Sequence, residues 1–215
     1  HITPRDLVTH RCGLPRHDLA WYNNNSLTRK EMVERLRYYQ PNKQLREAFQ
    51  YNNMMFLTAG YLVETLTGRS WEDAVSDRVF KPLGMLRSNF SVNDSQKDPD
   101  FAYPYEEKDD VVKRMNFRNI DQVGPAGSIN SCVDDMTRWL RVQLGEGKLG
   151  GKRIIGEAAL KEMHTPQMAI AVIPEKPELA PASYGMGWFV QPYRGHLCVH
   201  HGGAMGTRTK PPWGA

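Results

Sequence analysis

Along the first two thirds of the chain, apolar positions recur at helical spacing, and most of the segments carry their own start and stop signals. Thr3-Pro4-Arg5-Asp6 reads as an N-cap, a proline at the first helical position and an acid in the first turn. It predicts a short helix to about His10, stopped near Gly13 and Pro15. Thr28-Arg29-Lys30-Glu31 is a capping box, followed by Met32, Leu36 and Tyr39 on one face. Asn52 or Asn53 caps an apolar helix that Gly68 ends. Trp71 to Phe80 predicts a further amphipathic helix, ended by Pro82 and Gly84. Ser131 is the expected cap of a helix carrying Val133, Met136, Trp139, Leu140 and Leu144, and Glu157 to Met163 predicts one more.

The pattern changes in two places. Residues 88–123 are polar and rich in Asn and Asp, with Pro99 and Pro104, and predict a long loop. Within it the charge run Glu106 to Asp110 reads as solvated. Gly145, Gly147, Gly150 and Gly151 form a turn, and Pro166, Pro174, Pro177 and Pro181 mark an extended connection. Beyond it, Gly187–Val190 and Leu197–His200 predict two short strands around a turn at Arg194-Gly195. Helices first and strands last suggest an α+β or α/β arrangement whose sheet is completed elsewhere.

Composition narrows the classes. Of the 215 residues, 40% are hydrophobic, enough for a buried core. The net charge of +4 is spread among acids, with no basic stripe for nucleic acid. The most apolar stretch, Met54 to Leu66, contains Glu64 and suits a core helix better than a membrane span. Cys12, Cys132 and Cys198 are odd in number and far apart, which argues against a disulfide scaffold or a zinc site. No metal or cofactor is expected. His196, His200 and His201 make a poor ligand set, because adjacent strand residues point to opposite faces.

Three clusters could carry chemistry. Tyr51-Asn52-Asn53 stands directly before the apolar helix. Nearby cations and the positive helix end can lower a phenol's pKa there, making Tyr51 a proton shuttle. Asn53 can donate to and accept from a substrate amide. Read locally, the same residues are a packing aromatic and a helix cap. His201-Gly202-Gly203 follows the last strand, where glycines admit a substrate and a histidine can orient a carboxylate or assist proton transfer. The plain alternative is a glycine-rich turn with an exposed histidine. Gly124-Pro125-Ala126-Gly127-Ser128 fits a tight, rigid loop, more readily structural than pocket-lining.

In order, these segments resemble one family. Ile2-Thr3-Pro4-Arg5-Asp6-Leu7-Val8-Thr9-His10 with Gly13-Leu14-Pro15 resembles the T-x-x-D-L-L-T-H-x-S-G-L segment of class C β-lactamase-like and penicillin-binding-protein-like serine hydrolases. Tyr51-Asn52-Asn53 resembles their Y-x-N motif, and Gly60–Glu64 with Thr67-Gly68 the helix after it. Phe80–Met85 is similar to the P-L-G-M turn, Gly124–Ser128 to P-A-G-G/S-x-x-S, Tyr184–Trp188 to Y-G-L-G-W, and His201-Gly202-Gly203 to the H-x-G form of the third motif.

The resemblance implies a multi-domain α/β fold of the β-lactamase/transpeptidase type, with the active site between a helical and an α/β domain. Residues 1–180 would be its largely helical part and 181–215 the start of the C-terminal sheet. It implies a serine of an S-x-x-K motif attacking an ester, amide, peptide or β-lactam carbonyl of a small-molecule or peptide substrate. Tyr51 would be general base or acid beside that lysine, and Asn53 would hold the substrate amide or the lysine. His201 would stand in for the lysine of K-T-G. The N–H of Ala204, beside Gly202 and Gly203, would supply half of the oxyanion hole. None of the serines, from Ser26 to Ser183, has a lysine three residues on. The nucleophile is therefore expected upstream of His1. After His201-Gly202-Gly203 only Gly206 follows the family pattern. A second, late truncation or divergence is expected, and this chain alone should be marginally folded and inactive. The competing expectation is a non-catalytic penicillin-binding-like binding or scaffold module that has lost its serine.

Overall fold

The computed structural model describes residues 1–22, 24, 26–171 and 180–203. The local start signals act largely as the pattern implies. Helix α1 (Pro4–Val8) begins at Thr3, whose hydroxyl accepts from the Asp6 N–H while the Asp6 carboxylate accepts from the Thr3 N–H. Helix α2 (Arg29–Arg35) has the same reciprocal box between Thr28 and Glu31. Helix α3 (Asn53–Thr67) is capped by Asn52, whose carbonyl accepts from the Met54 N–H at 2.8 Å. It ends at Gly68, in the left-handed conformation that a side chain disfavours.

The expected helix from Trp71 to Phe80 is instead α4 (Trp71–Val75) followed by a π turn over Ser76–Phe80. Nor does Pro82 end the run, because it sits inside a further helical turn, α5 (Lys81–Leu83). The wider hydrogen-bond ladder of the π turn leaves room for a ring that a regular helix would exclude. Gly84 is the actual stop. Residues 88–123 are not a structureless loop. They hold α6 (Val92–Ser95) and a hairpin of β1 (Tyr105–Lys108) with β2 (Val111–Arg114), Glu106 facing Lys113. The charge run Glu106 to Asp110 is largely exposed, as expected, but it is a strand and its turn, with Asp109 and Asp110 both at positive φ. Arg114 lies over the Tyr103 ring at 3.3 Å, and the rings of Phe101, Tyr103 and Phe117 pack on one another.

Ser131 does not cap α7 (Val133–Leu144), since Cys132 takes that position and the Ser131 hydroxyl meets that of Ser88 at 2.8 Å. Short strands β3 (Lys148–Leu149) and β4 (Lys152–Arg153) flank the glycine turn, and α8 (Glu157–Met163) spans the residues expected of it. Strands β5 (Met168–Ala169), β6 (Ser183–Tyr184), β7 (Phe189–Tyr193) and β8 (His196–His200) form an antiparallel sheet in chain order. Its last hairpin turns at Arg194-Gly195, both at positive φ.

Two apolar cores support this frame. One joins Leu7, Met32, Met54, Met55, Leu57 and Val123, with α3 at its centre. The other joins Phe80, Leu83, Met85 and Val142. The turn before α7 is keyed into α3 at Gly60, where a Cβ would lie 2.1 Å from Pro125. The sheet is fastened to the helices by the Gly187 N–H on the Val8 carbonyl (3.1 Å) and the Met186 N–H on that of Met163 (2.9 Å).

Candidate active site

Tyr51 stands where the chain enters α3, and its neighbours are tied on both sides. The Gln50 N–H donates to the His10 carbonyl at 2.8 Å, and the Asn52 N–H donates to His10 Nδ1 at 3.1 Å. The Asn52 side-chain amide donates to the Pro15 carbonyl at 2.8 Å, so the helix cap also anchors the loop after α1. The His10 and Tyr51 rings are 4.3 Å apart.

The last strand brings His201 to this point. Its ring lies 6.0 Å from Tyr51, 6.0 Å from Tyr184 and 5.3 Å from Phe189. The His10 ring in turn packs on Tyr184, Phe49 and Phe56. Two segments from opposite ends of the chain, each weak by itself, thus meet in one cluster of rings. His201 itself is exposed, as are Gly202 and Gly203 after it, and its Nδ1 lies 2.6 Å from the Gly202 carbonyl oxygen. Ala204 lies outside the described residues. Asn53 is the first residue of α3 and half-buried, and its side chain makes no hydrogen bond among the described residues.

The electrostatics correct one expectation. Arg16 does sit over the Tyr51 ring, 5.2 Å from its centre. Burial nevertheless pushes the phenol pKa up, outweighing the pull of Arg16, with Asp18 adding to the rise. The positive helix end and a single partly paired guanidinium do not offset the loss of water. Burial acts likewise on the histidines. It brings His10 down to about 3 and lowers His201 as well. Near neutral pH the site is therefore a set of uncharged rings with a protonated phenol.

His10, Arg16 and Tyr184 belong to this site and were not singled out by residue type or spacing. The only signals were the places of His10 and Tyr184 within the T-H-x-S-G-L-like and Y-G-L-G-W-like segments; Arg16 lies just past the first of them. The Gly124–Ser128 turn, by contrast, serves packing. A Cβ on Gly124 would lie 3.0 Å from Arg29 Nη2 and 3.2 Å from Glu72 Oε1, inside the Arg29–Glu64–Glu72 ion pairs. A separate groove of about 630 Å³ along α1 and α3, lined by Leu7, Leu14, Leu36, Met55 and Leu62, is apolar and holds none of the expected site residues. Among the described residues, no group of three or more His, Cys, Asp or Glu could hold a metal ion, and no helix is long and apolar enough to cross a membrane.

This fold and these motifs define a family, and the chain belongs to it: the Beta-lactamase family model matches residues 1–211. The chain is 29% identical over 212 residues to "Unguisins hydrolase ungD'" of Aspergillus campestris (strain IBT 28561), covering 95% of this chain and 38% of that protein. It superposes on the octameric penicillin-binding protein homologue from Pyrococcus abyssi with a TM-score of 0.75 and 22% identity, over 93% of this chain and 46% of that one. D-amino acid amidase from Ochrobactrum anthropi SV3 gives a TM-score of 0.69 at 21% identity, over 93% and 56%. The fold is that of the β-lactamases and transpeptidases. The chain spans under half the length of the curated relative and about half that of these structures.

Proposed function

We propose that the protein to which this chain belongs is a serine hydrolase that cleaves an ester, amide, peptide or β-lactam bond through an acyl-serine intermediate. The observation that carries the reading is the meeting of Tyr51 and His201, rings 6.0 Å apart, at the mouth of α3. As the serine oxygen bonds to the carbonyl carbon its proton would pass to the Tyr51 phenolate, and the bond to the leaving nitrogen or oxygen would break. The leaving group would take a proton from the Tyr51 phenol, and water would then release the acid and restore the serine. A phenol raised by burial stays protonated, so it offers no base at neutral pH and is a weaker acid as well. A neighbouring ammonium, as in S-x-x-K, would lower it and let it act in both directions. Asn53 would hold the substrate amide or that lysine, His201 would stand in for the lysine of K-T-G, and the Ala204 N–H, beside Gly202 and Gly203, would supply half of the oxyanion hole. The hydrolase named among the relatives agrees with this chemistry.

Labelling by a fluorophosphonate or penicillin probe tests it in a protein that joins this chain to an S-x-x-K segment. The probe should attach to that serine, and Tyr51→Phe should slow attachment on the order of 100-fold. No labelling of a folded protein of that kind would refute the reading. The lack of S-x-x-K within these residues favours one other reading, a binding module without turnover. Under it, a penicillin would bind reversibly and leave no covalent adduct. The 215-residue chain alone should not turn over a chromogenic ester, and Tyr51-dependent turnover would overturn the assignment of the nucleophile to other sequence.

A further inference from the structure

We infer that His10 is a positioning residue for Tyr51: its carbonyl and its ring nitrogen hold the backbone on either side of the phenol, and its ring packs against the phenol. This deepens the hydrolase reading and rests on Tyr51 being its proton-transfer group.

The geometry is specific. His10 adopts φ 54, a left-handed conformation uncommon for a residue with a side chain. In that conformation its carbonyl meets the Gln50 N–H at 2.8 Å and its Nδ1 meets the Asn52 N–H at 3.1 Å. The two bonds bracket Tyr51. An apolar side chain of the same size would keep the ring contact and leave the Asn52 N–H buried without that acceptor.

The hydrogen bond also selects the tautomer. A ring that accepts at Nδ1 carries its proton on Nε2. His10 is 1% exposed, and its Nε2 is buried with no hydrogen-bond partner among the described residues. The neighbouring Tyr184, 4.9 Å away ring to ring, has its hydroxyl in the same condition. The groups around His10 are Tyr51, Tyr184, Arg16 and His201, none of them an anion that would stabilise imidazolium. Burial, with His201 and Arg16 adding to it, keeps the ring neutral, so the bracket around Tyr51 does not open as the pH moves through the physiological range.

Two measurements decide this, made on a folded protein that joins this chain to an S-x-x-K segment, and neither depends on turnover. Ring ¹⁵N NMR between pH 4 and 8 should show His10 as the Nε2–H tautomer with no titration. An Nδ1–H tautomer, or a midpoint near the ordinary value, would overturn the inference. His10→Leu should speed hydrogen exchange at the Asn52 amide by about 10-fold. It should also shift the Tyr51 ¹³Cζ resonance, while the Met32 amide is unchanged. His10→Asn, which offers a carboxamide oxygen as acceptor and tolerates left-handed backbone, should restore both signals. Unchanged signals in His10→Leu, or no rescue by Asn, would sink the positioning role. If neither variant folds, the wild-type ring measurement still decides. Failure here leaves the hydrolase reading intact, and an unlabelled parent protein with His10 as described does the reverse.

Discussion

Asp6, on α1, and His10, just past its end, are both sealed from water, at 0% and 1% exposure. Their charges meet opposite treatment. Around Asp6 the chain gathers donors: Arg46 through Nε and Nη2, each at 2.9 Å, Arg11 at 2.6 Å, and the N–H and hydroxyl of Thr3. The Arg46 hydrogen bonds, with those from Thr3 and Arg11, hold the carboxyl far below its usual range against the opposing pull of burial. Around His10 the chain gathers rings, and burial keeps the imidazole neutral. The comparison teaches that burial alone does not set a charge state. What decides it is whether the surrounding residues replace the hydration that was lost.

Both regions hang on the same lacing of residues 10–13 to residues 42–50. The Arg46 N–H donates to the Arg11 carbonyl at 2.8 Å, and Gln50 to His10. The Asn42 N–H donates to Gly13 at 3.1 Å. One side of the lacing delivers Arg46 to Asp6, and the other delivers Tyr51 to His10.

The largest effect should come from Asp6→Ala, which leaves two guanidinium groups facing a buried void. Urea unfolding should show a loss of about 3 kcal/mol or more. A loss near zero would mean that the network is ornamental and the contrast with His10 empty. Next, Gly13→Ala should damage both regions together. Its Cβ would lie 2.3 Å from the Lys43 carbonyl oxygen, at φ +81. About 2 kcal/mol is expected, with amide protection falling at both Arg46 and Gln50. Protection lost at only one of them would uncouple the two regions.

The pH dependence of unfolding should separate them further. The His10 pKa is lowered in the fold to about 3, so between roughly 6.5 and 3 the unfolded chain binds the extra proton. Stability should fall as pH drops through that window, and His10→Asn should flatten the slope there. His164, His200 and His201, also lowered, pull the same way. Asp6, held below its ordinary value, contributes stability that is complete above about pH 4 and lost at lower pH. Asp6→Asn should therefore lower stability by a constant amount above about pH 4 and flatten the slope only in the acid limb. A variant that changes the slope in the other's window would break the comparison. The smallest effect is expected from Arg46→Lys, which keeps the charge and loses the paired geometry. Its unfolding midpoint should lie between those of the wild type and Asp6→Ala.

Much of the local structure was legible in the residues. Thr3 and Thr28 announce their helices by reciprocal caps, Asn52 and Gly68 bracket α3, and Arg194-Gly195 marks its hairpin. Capping and turn formation depend on neighbours within a few positions, so the local text suffices. The β1–β2 hairpin was illegible for a matching reason. Its residues are nearly all exposed on both faces, so no alternation betrays it. It is marked instead by the Asp109-Asp110 turn and the Arg114–Tyr103 contact. The Trp71–Phe80 segment misled because a π turn has no signature in the spacing of apolar residues.

The site divides the same way. The amino-acid order by itself named the ordered motifs, the helix mouth at Tyr51 and the glycine-flanked His201. Only the tertiary structure decided that these two meet, that His10 stands between α1 and α3 with its ring nitrogen on Asn52, and that the Tyr51 phenol is raised rather than lowered. The physical reason is that hydrogen-bond caps act over a few residues of chain, whereas desolvation is the sum of everything packed around a group. Phe49, Phe56, Tyr184 and Phe189 come from separate segments, and no stretch of sequence contains the environment that they make together.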